Sequence, residues 1–184
     1  MSPPENGINH TKRARLRDMK VFVLDNSLRE STVAQPTGHT LDNKFSIVKE
    51  IEKVGFQDVL VGAFGSDRRV DDRFCECLKE GVFSRDSGED APTRTYAFSE
   101  ITDHVTDTGE MTFGDQFIPI GLQKMKKYGI QNAVIEIDLN TSNVDWDGIF
   151  PVAKAVGVIE FLTKWTDDNL PSNQDGYRRN FVNL

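Results

Sequence analysis

The stretch VFVLDNSLREST, residues 21–32, sets Asp25, Ser27, Arg29 and Glu30 directly behind an apolar run from Val21 to Leu24. Carboxylate oxygens such as those of Asp25 and Glu30 suit a hard divalent cation, which polarises a substrate carbonyl as a Lewis acid. The guanidinium of Arg29 is permanently charged and planar, a fit for an enolate or carboxylate oxygen. The same residue types also describe an arginine that merely pairs with neighbouring acids at the end of a strand. Two further polar clusters follow apolar runs: GAFGSD contains Ser66, and DLNTSN contains Asn140 and Ser142. Of the histidines, His10 falls in the N-terminal tail and His39 and His104 fall in loops, where solvation is the default; only His39 follows the first polar cluster closely.

These clusters can meet only if the frame brings several strand ends together. Lys20–Leu24 reads as a first strand. Ile47, Ile51 and Val54 recur at helical spacing within 43–54, with Phe45 and Val48 beside them and Gly55 as the stop. DVLVGAF, residues 58–64, is a continuous apolar run of the kind buried on both faces of a parallel sheet. A helix over 70–80 follows, then a strand in TRTYAFSEI. The spacing of Ile118, Leu122 and Met125 predicts a helix over 117–128, with Pro119 in its first turn and Gly129 at its end. NAVIEIDL, residues 132–139, predicts another strand, 149–165 a long helix, and 180–184 a fifth strand. Strand–helix alternation of this kind implies βαβ units with right-handed crossovers, hence an α/β fold with about five parallel strands. Ligands gather at the carboxyl ends of such strands. Asp25, Arg29, Glu30, Ser66, Asn140 and Ser142 are therefore expected around one mouth.

Composition narrows the function. At 184 residues there is room for one sizeable core, and no run approaches the roughly 18 apolar residues of a membrane span. A net charge of −7 with 29 acidic residues argues against nucleic-acid binding but not against a small anion held by one or two arginines. Residues 1–18 read as a flexible basic lead-in, and residues 19–184 as one domain. Cys75 and Cys77 stand one residue apart in a helical stretch and point to different faces, so an intramolecular disulfide is not expected. That usage fits a reducing compartment, the cytoplasm or an organellar matrix. DNSLREST contains no glycine, which argues against a dinucleotide-binding turn after the first strand.

DNSLRE, followed by LDNKFSIVKEIEKVGFQDVLVGAF, resembles the opening of the DRE-TIM metallolyases, the group that includes hydroxymethylglutaryl-CoA lyase, homocitrate synthase and isopropylmalate synthase. The resemblance is carried by residues 21–64. It implies a pyruvate-carboxyltransferase-type TIM (β/α)8 barrel, of which this chain holds the N-terminal part. It also implies aldol- or Claisen-type chemistry on a keto acid or an acyl-CoA-derived substrate, with Mg2+, Mn2+ or Zn2+ as cofactor. By position, Arg29 would steady the enolate, Glu30 would bind the metal and Gln35 would contact substrate; the strand-end placement read above adds Asp25 to the metal site and Ser66, Asn140 and Ser142 to the substrate contacts. The chain departs from the family in four places: Ser31 replaces a glycine, Gln35 lies two residues late, Val59–Leu60 replaces an acidic position, and no His-x-His pair occurs. Such a barrel takes about 250 residues and eight strands. Five strands imply completion by further residues or by another chain, including a second copy. The alternative is a non-catalytic barrel fragment that serves binding or assembly.

Overall fold

The computed structural model describes residues 21–30, 39–65, 72–84, 93–101, 118–137, 152–173, 176 and 178–183. The elements in chain order are α1 (Ser27–Glu30), α2 (Leu41–Val54), β1 (Asp58–Phe64), α3 (Asp72–Lys79), β2 (Arg94–Glu100), α4 (Ile120–Tyr128), β3 (Asn132–Glu136), α5 (Val152–Asn169) and β4 (Phe181–Asn183). The strands form one sheet in the order β1-β2-β3-β4, and every neighbouring pair is parallel. The chain is thus α/β with a parallel sheet whose strands follow one another in space as in sequence. The lead-in, residues 1–18, lies outside the described residues.

The helices begin and end where local chemistry dictates. Thr40 caps α2 through a reciprocal box with Asn43, and Gly55 closes it at φ 84°, a left-handed turn that glycine adopts without a Cβ penalty. Gly129 ends α4 in the same way at φ 73°. β1 is buried along its whole length, as its unbroken apolar run requires.

The expected first strand, Lys20–Leu24, is a correction: residues 21–24 are irregular, and Lys20 lies outside the described residues. Only Asp25 bridges to β1, opposite Val59 and in parallel, through Asp25 N–H to Asp58 O (2.9 Å) and Leu60 N–H to Asp25 O (2.8 Å). Among the described residues the sheet therefore counts four strands. The physical reason is the edge position. Val21 and Val23 are 70% and 49% exposed, so alternation has no second neighbour to reward it.

Two cores flank the sheet. One face packs on the helices through Val59, Val61, Phe64, Ala97, Ile101 and Ile135, among others. The other face carries Leu60, Tyr96 and Val134, with Leu24 and Phe98 against them. On this second face the sheet must curl inward. Phe22 at one edge and Phe181 at the other have ring centroids 5.3 Å apart, and Tyr96 contacts both at 6.2 and 5.9 Å. A flat sheet spaced about 4.8 Å per strand would hold those edges roughly 19 Å apart.

Polar locks close the amino ends of the strands. Arg94 forks onto Asp58 with two bonds of 2.6 Å, and the buried Tyr96 hydroxyl donates to the same carboxylate at 2.7 Å. Burial, with Asp58 beside it, pushes the Tyr96 phenol well above its ordinary pKa. Asn132 and Asn173 exchange hydrogen bonds of 3.0 and 2.9 Å while fully buried.

Candidate functional site

The first polar cluster begins level with the second residue of β1, where Asp25 bridges to Val59, and reaches Phe98 of β2 through Arg29. Asp25 ends the edge segment, and its two oxygens accept from Ser27 N–H and Ser27 Oγ, both at 3.1 Å. It thereby starts α1 in the manner of an N-cap. Leu28, fully buried, anchors this short helix in the core. Arg29 then turns onto the concave face, its guanidinium carbon 4.8 Å above the centre of the Phe98 ring and its side chain 19% exposed. Its Nη1 donates to Glu30 Oε1 at 2.9 Å, and Asn26 Nδ2 donates to the same oxygen at 2.6 Å. The hydrogen bond from Arg29 holds the Glu30 carboxyl below its ordinary pKa.

Asp25 faces elsewhere. It lines an open groove of about 420 Å³ on the helix side of the sheet, together with Ser46, Ile47, Glu50, Ile51, Val54 and Phe56. Arg29 and Glu30 therefore stand together, while the Asp25 carboxylate serves the local turn. Among the described residues, no group of three His, Cys, Asp or Glu side chains converges to hold a metal ion. Asp25 is bonded to Ser27, and Glu30 to Arg29 and Asn26.

Gln35, Ser66, Asn140 and Ser142, expected from the sequence as substrate contacts, lie outside the described residues, as do His10 and His104. His39 is described and exposed, immediately before the Thr40 cap. Cys75 is buried, Cys77 is half-buried, and both are thiols.

Sequence reasoning missed a second polar row. Glu100 stands opposite Glu136, and Glu136 opposite Asn183, across three adjacent strands at their carboxyl ends. Tyr96 and Phe98 precede Glu100 at alternate positions, and Val134 precedes Glu136, so strand alternation puts the row on the concave face. Asn183 Nδ2 donates to Glu136 Oε1 at 3.1 Å, as a shared face requires. The other oxygen, Oε2, is closed off from solvent and has no hydrogen-bond partner among the described residues. The signal was present: TYAFSE and VIE each end an alternating strand on a glutamate that follows concave-face residues. Two carboxylates directly opposite each other repel, so the pairing is not explained by sheet stability.

On the helix side of the same ends, α4 is pulled hard onto the sheet. A Cβ added to Gly121 would collide with the Phe64 carbonyl and with Ser99 Oγ. Only glycine permits that approach. Lys124 Nζ adds a 2.9 Å bond to the Gly65 carbonyl. These contacts fix the spacing of the β1 and β2 ends beneath the mouth. Comparison of the chain with protein-family models, with curated proteins and with solved structures finds no match.

Proposed function

We propose that the chain forms part of a (β/α)8 barrel whose mouth binds a small keto acid or acyl-derived acid, and that it belongs to an enzyme that makes or breaks a carbon–carbon bond beside a carbonyl. In this reading Arg29 holds the oxyanion of the enolate. The observation that carries it is the position of Arg29: a guanidinium stacked on Phe98, mostly screened from water, on the concave face over the carboxyl half of β2.

The barrel part of the proposal rests on the aromatic layer. A barrel of eight strands fills its interior with layers drawn from alternate strands, and the strand positions four apart face each other across the axis. Counting the edge segment as the first position, Phe22, Tyr96 and Phe181 come from the first, third and fifth, and all three rings touch. Contact between the first and fifth positions is what an eight-strand circumference supplies and a flat sheet does not. Exposed apolar residues on both edges, Val21 and Val23 on one and Val182 on the other, leave room for the missing positions.

The second reading, a barrel piece that binds or assembles without catalysis, is favoured by one specific feature. The Arg29–Glu30 and Asp25–Ser27 bonds satisfy those charges locally. Titration with pyruvate separates the two. The catalytic reading expects binding that weakens at least tenfold in Arg29→Ala, with only part recovered in Arg29→Lys, which restores charge but not the fork. Binding unchanged by both substitutions leaves the assembly reading standing.

A further inference from the structure

We infer that the amino end of α4 binds a phosphate group. Two independent observations meet there, and neither involves Arg29 or Glu30. The first is a helix start without a cap. Its cap position is Pro119, which makes no side-chain capping bond, and Gln123 N–H, bonded to the Pro119 carbonyl at 3.1 Å, is the first amide for which the helix supplies an acceptor. Gly121 and Leu122 come before it, so α4 itself offers their N–H groups no acceptor. Ile118, Pro119, Gly121 and Leu122 are all buried, which leaves this end poorly hydrated as well as uncapped. The second observation is the hydroxyl of Ser99. The residue is 1% exposed, and its Oγ has no hydrogen-bond partner among the described residues. It is aimed at the first turn of α4, so close that a Cβ on Gly121 would strike it. A buried hydroxyl left without a partner is costly, and such atoms in native folds need an explanation.

The groups gathered here select the ligand. Backbone N–H groups only donate, a serine hydroxyl can donate, and the helix dipole places its positive end among them, so the fitting partner is an acceptor that carries negative charge. A cation stands in the same corner. Lys124 Nζ donates at 2.9 Å to the carbonyl of Gly65, the residue after Phe64, whose own carbonyl abuts Gly121. Glu100, next in sequence to Ser99, projects to the opposite face of the sheet by strand alternation. The donors come from a strand, a helix backbone and a lysine side chain. A tetrahedral ion with several acceptor oxygens can serve them together, whereas a carboxylate offers two oxygens in one plane.

Amide NMR of the full chain, titrated with inorganic phosphate and with chloride at equal ionic strength, tests this. The Gly121 and Leu122 amides should move and saturate with phosphate and stay in place with chloride. In Ser99→Ala the phosphate affinity should fall roughly tenfold or more, the scale of a hydrogen bond to a charged acceptor. Without phosphate, Ser99→Ala should melt no lower than wild type, because the hydroxyl it removes gives up no bond within the fold. Glycerol phosphate, run in parallel, separates the two sources of the group: tighter binding than inorganic phosphate assigns a phosphate monoester, weaker binding the free ion. Unmoved amides, shifts that chloride reproduces, or a phosphate affinity unchanged in Ser99→Ala would overturn the assignment. So would a lower phosphate-free melt of Ser99→Ala, which would mean that the hydroxyl already has its partner in the fold.

Discussion

Replacing Asp58 by alanine tests the lock at the amino end of the concave face. Both oxygens of that carboxylate are engaged, by Arg94 Nε and Nη2 at 2.6 Å each and by the Tyr96 hydroxyl at 2.7 Å. The side chains of Arg94 and Asp58 are only 15% and 7% exposed. Removal of the acid leaves a guanidinium and a phenol without their acceptor in a poorly hydrated place, a situation that costs about 3–5 kcal/mol. For a domain of this size each kcal/mol lowers Tm by roughly 2–4 °C, so Asp58→Ala should melt roughly 6–20 °C below wild type. Tyr96→Phe removes a single bond to a charged acceptor and should cost about 1.5–3 kcal/mol. The double variant should cost clearly less than the sum of the two, because both substitutions remove the same Tyr96–Asp58 bond. Thermal melts followed by circular dichroism, with urea titrations for the free energies, supply all four corners of the cycle. An Asp58→Ala loss below about 0.5 kcal/mol, the scale of an ordinary surface change, would refute the lock. So would strict additivity with Tyr96→Phe.

Gly121→Ala should destabilise by about 1–3 kcal/mol, since its Cβ meets the Phe64 backbone, which cannot swing aside as a side chain can; a neutral melt would show that α4 does not approach the sheet this closely. The Glu30 carboxyl should titrate below an ordinary glutamate by side-chain NMR, and Arg29→Ala should return it upward. With its folded value depressed, Glu30 contributes its share of stability in full above about pH 4.3, and that share is lost as the pH falls through the folded value. The Tyr96 phenol runs the other way: its folded value is raised, so stability should decline as the pH climbs past about 10, where the unfolded chain gives up the proton first. Tyr96→Phe should flatten that alkaline decline.

The order of elements was legible because the apolar periods are clean. DVLVGAF became β1 residue for residue, and Gly55 and Gly129 stop their helices where glycine punctuation said they would. The edge segment was not legible. VFVL has strand composition, but a strand also needs partners, and no feature of the segment itself tells how far pairing with β1 extends beyond Asp25. The site divided in the same way. The proximity of Arg29 and Glu30 follows from adjacency in sequence. That Arg29 would lie over Phe98, some seventy residues later, depends on the curl of the sheet, which no local pattern encodes. Asp25 looked like a ligand by residue type, yet its carboxylate is engaged by Ser27, the hydroxyl residue two positions on. The Glu100–Glu136–Asn183 row was missed because register, not composition, lines it up.

The central claim is that the concave mouth holds a small carboxylate at Arg29. Arginine side-chain NMR of the intact chain during a pyruvate titration addresses it most directly. With a carboxylate seated there, the Arg29 Nε–Hε signal moves and saturates, in step with the Phe98 ring signals and the Glu136 amide. Shifts confined to the groove beside Ile47 and Phe56, with the Arg29 signal unmoved at saturating pyruvate, would contradict it.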